Sequence, residues 1–247
     1  MHILTKRPFV AAAQRYPNQR ESLLDLYRVL SRNSVRFNSP EEMRRLFPSL
    51  DNFIYKDKWW VLDVGGNHLR MIACIQFRQK PAFCKTHCDA RRVRPAVRSL
   101  PARRVVNRTA LKTVFEDFAE AAAPYLHITD DTHYEEALAL VEALMEDAED
   151  SDDEPLNRVI GLLAQAIGRY EREIEALDAF ETQAGEIPVD VAMLRVLMKQ
   201  HGLGVADFPE IGDKSLVSRI LSGSRNLTKQ HIQKLAQRFG VSASLFF

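Results

Sequence analysis

Two groups of residues have the types and spacing to handle phosphate. In the first, Arg70 follows the turn Gly65-Gly66-Asn67 and stands on the more polar side of an alternating strand, with Lys56 and Lys58 in the connection leading to the neighbouring strand. Such cations on one sheet face could form the phosphate-binding surface of a small α+β ribonuclease; a plain surface arginine on a half-exposed sheet is the alternative. In the second, Lys214, Ser215, Ser218 and Arg219 occupy the early turns of a short helix, and Arg225 and Lys229 follow it. A helix with that polar face, second in a helix-turn-helix, could enter a DNA groove. Cys84, His87 and Cys88 supply three soft ligands without a fourth, a poor tetrahedral set. No metal or other cofactor is expected.

The elements that must position these groups differ along the chain. Residues 5–33 read as two helices interrupted at Pro17-Asn18, and Ser39-Pro40-Glu41-Glu42 opens a short third. The period then becomes two, predicting strands at 52–55, 59–64, 68–77 and 82–85. In the third of these, Leu69, Met71, Ala73, Ile75 and Phe77 point to a core, while Arg70, Ile72, Cys74 and Gln76 point away. Beyond residue 106 only helices are expected: 109–123, ended by Pro124 and carrying Leu111, Val114, Phe115 and Phe118 on one face; 132–147, opened by a Thr132–Glu135 capping box; and one long helix from Pro155 to about Gln183. That last helix carries Leu156, Ile160, Leu163, Ile167, Tyr170, Ile174 and Leu177 as a heptad seam, with its partner favoured within the same chain. Short helices follow: 191–200, a turn of helix through Phe208-Pro209-Glu210-Ile211, 214–221 capped by Asp213, and one capped by Thr228 that ends at Gly240. The fold class is therefore α+β followed by all-α.

A chain of 247 residues with 46% hydrophobic and 27% charged content can bury a core, which excludes wholesale disorder. Without an apolar run of membrane length or a signal-peptide start, it reads as a soluble cytoplasmic protein with no membrane partner. The three cysteines are too few and too clustered for a disulfide framework. The net charge of +1 hides three blocks. Residues 1–105 hold 21 Lys and Arg against 8 Asp and Glu, 106–190 hold 5 against 22, and 191–247 hold 8 against 3. Either these are solvated faces of unrelated domains, or the acidic block covers the first basic one and a basic block meets nucleic acid.

Phe47-Pro48-Ser49-Leu50-Asp51-Asn52-Phe53 and Trp60-Val61-Leu62-Asp63-Val64-Gly65-Gly66-Asn67, followed by Leu69-Arg70, closely resemble HigB-type toxins of the RelE-like mRNA interferases over about residues 1–83. The resemblance implies a metal-independent, ribosome-associated endoribonuclease, with Arg70 in the phosphate role and Lys56 and Lys58 as lesser contacts to RNA. It also implies a closing strand that brings a histidine and a tyrosine to the site. Here the chain instead turns Arg-rich after Cys84, leaving that last strand in doubt. Suitable codons for residues 84–94, read one nucleotide later, spell the missing ending Val-Lys-His-Ile-Val-Thr-His-Ala-Glu-Tyr-Asp. The expectation is a frameshift fusion in which 86–105 is a linker and ribonuclease activity is weak or absent, since losing an acid–base pair costs about 10²–10⁴ in rate.

The segment from Asp213 through Thr228, with Tyr134–Leu144 and Phe208–Gly212, resembles a HigA-type antitoxin with a Cro/repressor-like helix-turn-helix over 106–247. On that resemblance Arg219 would read a guanine, Lys214, Ser215 and Ser218 would reach bases or phosphates, and Arg225 and Lys229 would hold phosphates. The expected organisation is a toxin-like part at 1–85, a linker at 86–105, an acidic neutralising region at 106–185 and a DNA-binding region at 186–247. A homodimer on operator DNA is expected, because one short helix reads few bases. Two rival readings stay open: a ribonuclease restrained in cis by its own inhibitor, and a repressor whose first block senses an unrelated ligand.

Overall fold

The structure, a computed structural model, describes residues 2–32, 35, 37–54, 57–66, 68–77, 81–85, 108–151 and 153–247. The N-terminal part is a sheet with helices on one face. Strands β1 (His2–Ile3), β2 (Asp51–Asn52), β3 (Trp59–Val64), β4 (Leu69–Ile75) and β5 (Pro81–Lys85) lie in the order β1-β5-β4-β3-β2. All neighbours are antiparallel except β1 and β5. The strand expected at 52–55 shrinks to Asp51–Asn52, while Tyr55 lies outside the described residues. The doubtful last strand is present through Lys85, held between β1 and β4. Gly65 and Gly66 turn the β3–β4 hairpin at φ +68° and +75°, a region glycine enters without strain. A side chain at Gly65 would also sit 2.0 Å from Gln19 Oε1.

Helices α1 (Arg7–Arg15), α2 (Arg20–Leu30) and α3 (Pro40–Leu46) bury Phe9, Leu23, Leu26 and Leu30 against Leu62, Met71, Ala73 and Ile75. Ser39 caps α3 by accepting the Glu42 N–H, as the sequence predicts. Glu42 reaches back one residue further than a standard box, to the Asn38 N–H.

The later helices are α4 (Arg108–Leu126), α5 (Asp131–Asp147), α6 (Pro155–Glu173), α7 (Glu175–Glu186), α8 (Val189–His201), α9 (Lys214–Leu221) and α10 (Lys229–Phe239), closed by a 3₁₀ turn over Ala243–Phe246. Four expectations are corrected here. Pro124 lies inside α4, where it removes only the bond to the carbonyl of Glu120 on an exposed helix. Asp130, not Thr132, caps α5, its carboxylate accepting the His133 N–H at 2.9 Å. Residues 205–211 form hydrogen-bonded turns rather than helix. The long helix predicted over 155–183 breaks at Ile174 (φ −90°, ψ 107°).

The break has a packing cause. Leu156, Ile160, Leu163, Ile167 and Tyr170 join α5 residues Tyr134, Val141 and Met145 in a cluster that closes over Leu4, Trp59 and Cys74. Ile174 and Leu177 belong to the other cluster, with α1, α2 and α8. A continuous heptad seam faces one way; turning at Ile174 lets the chain pass round the β1 edge and pack on both sides of the N-terminal unit. This also corrects the expectation of an open polar sheet face: Cys74 and Gln76 are buried, because α5 and α6 roof that end.

At the turning point sits Glu171, only 1% exposed. Its Oε1 accepts from the Thr5 hydroxyl at 2.6 Å and the Tyr134 hydroxyl at 2.7 Å, and the Lys6 backbone N–H reaches both oxygens at 2.9 and 3.1 Å. Burial and the adjacent Glu171 carboxylate push the Tyr134 hydroxyl well above its usual range, so it remains a donor. Around this centre Lys6 pairs with Glu181, and Arg7 lies over the Tyr134 ring while bonding Asp131 (2.6 Å) and Glu135 (2.8 Å). The basic and acidic blocks therefore do meet. Their half-exposed ion pairs contribute roughly 0.2–1 kcal/mol each. Each fully buried aliphatic side chain in the same contact contributes about 1.5–3 kcal/mol. Apolar burial holds the two parts together, and the charges orient them.

A second junction ties α2 to the C-terminal helices. Arg195 of α8 bonds Glu21 (3.0 Å) and Asp25 (3.4 Å), and its other amino group donates to the carbonyl of Leu221, the last residue of α9, at 2.9 Å. Burial pushes the Asp25 carboxyl up to about 7, against the opposing pull of Arg195.

Two outcomes follow. Thr5→Val removes one donor from a buried carboxylate and should cost roughly 1–3 kcal/mol, more than Arg7→Met, when both are compared in urea unfolding. Asp25 has a raised folded pKa, so its stabilising contribution is full below about 4 and declines as pH rises through about 7. Asp25→Asn should therefore gain stability relative to the parent chain between pH 5 and pH 8 in the same experiment; an unchanged difference contradicts this.

Candidate functional site

The structure separates the residues expected on the sheet face. Arg70 pairs in register with Asp63 at the hairpin end of β4, and its side chain is 72% exposed with Nε 3.5 Å from Asp63 Oδ1. Lys58 precedes β3 at the opposite end, where Trp59 pairs with Cys74. The Ile75 N–H donates to the Lys58 carbonyl, and the five residue steps of about 3.4 Å from Ile75 to Arg70 put the two cations' backbones roughly 17 Å apart, so they do not converge on one phosphate. Lys56 lies outside the described residues, as do His87 and Cys88.

Lys58 is engaged elsewhere. Its ammonium donates to the carbonyls of Ala148 (2.6 Å), Glu146 (2.8 Å) and Met145 (3.3 Å) at the end of α5. Carbonyls at a helix's C-terminal end carry the negative end of its dipole, which a cation satisfies. The Lys58 backbone is left-handed (φ +62°), a conformation that costs a non-glycine residue energy and persists because the surroundings fix it. The acidic loop after α5 adds a further contact: Asp150 Oδ2 accepts the Phe77 N–H at 2.9 Å. The helices of the acidic block thus lie on one end of the sheet face and leave the Arg70 end open.

The second group is arranged quite differently. Helix α9 is two-sided, with Val217 and Ile220 fully buried and Lys214, Ser215, Ser218 and Arg219 exposed along the other side. Asp213 caps it, Oδ1 accepting the Leu216 N–H at 2.7 Å. The Arg219 side chain lies back along the helix, Nε 3.4 Å from the Ser215 carbonyl. Its own carbonyl accepts the Arg225 N–H at 3.1 Å, closing the turn that holds the exposed Arg225 beside the helix end. Lys229 begins α10, exposed, after a reciprocal cap in which Thr228 accepts the His231 N–H and the Thr228 N–H donates to His231 Nδ1. Burial and neighbouring Lys234 lower the His231 pKa, which keeps that ring nitrogen free to accept. All six residues expected at a DNA surface are therefore exposed, on a helix and turn fixed from behind.

Sequence reasoning missed Arg195 with Asp25, Glu171 with Thr5, and the role of Lys58 on Ala148, contacts that each span more than 80 residues. Their residue types carry no spacing signal. Among the described residues no cluster of His, Cys, Asp and Glu could hold a metal ion, and no helix is long and apolar enough to cross a membrane.

Comparison with known proteins accounts for both parts. Residues 19–88 match the family of HigB, the RelE-like toxic component of a toxin–antitoxin system, and residues 109–181 match the N-terminal domain of the HigA antitoxin. The mRNA interferase HigB of Escherichia coli O6:H1 is 54% identical over 85 residues, 34% of this chain and 81% of that protein. The mRNA interferase toxin HigB of Escherichia coli K12 is 36% identical over 85 residues, 34% of this chain and 80% of that protein. Antitoxin HigA of Escherichia coli K12 is 41% identical over 127 residues, 51% of this chain and 88% of that protein. A first block unrelated to toxins is thereby set aside. The chain belongs to both families at once, a HigB toxin part and a HigA antitoxin part carried on a single polypeptide.

Proposed function

We propose that this fusion acts mainly as a sequence-specific DNA-binding antitoxin that represses its own promoter, with its toxin part held inert. The observation that carries this reading is α9, whose buried Val217 and Ile220 leave Lys214, Ser215, Ser218 and Arg219 in one exposed row. Such a helix, held across its neighbours in a Cro-like arrangement, suits a DNA groove, with Arg225 and Lys229 on flanking phosphates. We assign residues 1–85 to the RelE-like toxin part, 86–105 to a linker, 106–185 to toxin neutralisation and 186–247 to DNA binding. The unit acts as a homodimer on a two-fold operator.

A frameshift origin for the linker agrees with the family matches, which stop at residue 88 and resume at 109. Sequencing the gene across these codons tests it; codons that cannot spell the toxin ending one base along would refute it.

The engagement of Lys58 supports a second reading, an mRNA interferase restrained in cis. Its ammonium sits on the α5 carbonyls while Arg70 is left in solvent. The two readings separate on the intact chain: the first expects no cleavage of mRNA before or after the contact is loosened by Glu171→Lys, the second expects cleavage to appear in the variant.

For DNA binding, Arg219→Ala should reduce discrimination between operator and random duplex by roughly 1–3 kcal/mol. Lys229→Ala should weaken both duplexes alike and flatten the salt dependence. A titration in which Arg219→Ala leaves discrimination unchanged overturns the assignment of α9.

A further inference from the structure

We propose that Arg195 is a positioning residue for the reading of DNA: anchored at one amino group by Glu21 and Asp25 of α2, it sets α9 in place through the other. This deepens the preceding reading and rests on α9 being the helix that meets DNA. Helix α9 has eight residues, too few to hold its place without its neighbours. Val217 and Ile220 fix its depth by burial. Apolar burial is non-directional, so it resists lifting of the helix more than sliding or rotation. A hydrogen bond is directional, and the Leu221 carbonyl at the end of α9 accepts one from Arg195 Nη2 at 2.9 Å.

The guanidinium is planar, so fixing Nη1 aims Nη2. Nη1 lies 3.0 Å from Glu21 Oε1 and 3.4 Å from Asp25 Oδ1, and Asp25 is buried. The base of this clamp is itself pinned to the toxin part on both sides of Arg195. Before α8, Arg28 donates to the Ile187 carbonyl at 3.1 Å. Near the end of α8, Gln200 donates to the Asp63 carbonyl at 2.7 Å and accepts from the Ser49 hydroxyl at 3.1 Å. Lys214, Ser215, Ser218 and Arg219 precede Leu221 in the same short helix, so a shift of that end moves them. Base edges are read by hydrogen bonds that tolerate little displacement, whereas long cations follow a phosphate more easily. Loosening the clamp therefore lowers discrimination rather than general affinity for DNA.

The test is a binding titration of the full chain at pH 8, on a duplex spanning its own promoter and on a random duplex of equal length. The Asp25 carboxyl, pushed up to about 7, is ionised there, so the parent carries both anchoring charges. Glu21→Gln and Asp25→Asn leave Arg195 in place and weaken its anchors. By electrostatics alone, removing a negative charge strengthens binding to every duplex, and Asp25→Asn is also expected to gain folding stability. A positioning role predicts the opposite on the promoter: each variant should bind it about three- to tenfold more weakly relative to the random duplex. Asp25→Asn is then more stable and yet less discriminating, a combination that a merely structural role does not produce. Arg219→Ala, run alongside, separates the two claims. If Arg219→Ala leaves discrimination unchanged, α9 does not read DNA and this proposal falls with the preceding one. If it lowers discrimination while Glu21→Gln and Asp25→Asn discriminate as the parent does, Arg195 has no positioning role and the preceding reading stands.

Discussion

A carboxylate removed from water must find donors, and in this chain Glu171 finds all of its donors on other elements. Thr5 and Lys6 come from the junction of β1 and α1, Tyr134 from α5, and Glu171 itself from α6. Leaving such a group unsatisfied costs several kcal/mol, more than any exposed ion pair in the contact can return. The N-terminal strand and the two acidic helices must therefore come together. Once they do, the rest of the path is constrained: α6 ends within two residues, the chain turns at Ile174, and α7 and α8 are delivered to the opposite side of the toxin part against α1 and α2.

That path divides the molecule by chemistry. One sheet face is roofed at the Lys58 end and open at the Arg70 end, so the cations that could have met a single phosphate are used separately. The exposed row on α9 points away from all of this, on a helix whose final carbonyl is held by Arg195. Because Arg195 also binds Glu21 and Asp25 of the toxin part, one side chain ties the end of α9 to α2.

Much of this was legible in the residues, for identifiable reasons. Period-two alternation and the Gly65-Gly66 turn located the β3–β4 hairpin, and the Ser39, Asp213 and Thr228 caps located three helix starts, because those signals are local. The exposed row on α9 followed from helical spacing. The break at Ile174 was not legible, since its heptad seam is unbroken and only the arrival of two different packing partners divides it. Nor was the burial of Cys74 and Gln76, whose strand face reads as polar until another part of the chain covers it. Charge segregation left open whether the blocks touch; the structure brings them together, oriented by ion pairs and held by apolar burial.

Native-state hydrogen exchange at the Lys6 amide tests the central constraint most directly, since that N–H follows a two-residue strand at the edge of the sheet and would otherwise exchange as a frayed terminus. If Glu171 organises both parts, this amide exchanges only by global unfolding and is as protected as the amides of β4. Exchange at the rate of an exposed chain end, with β4 still protected, would show that the two parts share a backbone without sharing a fold.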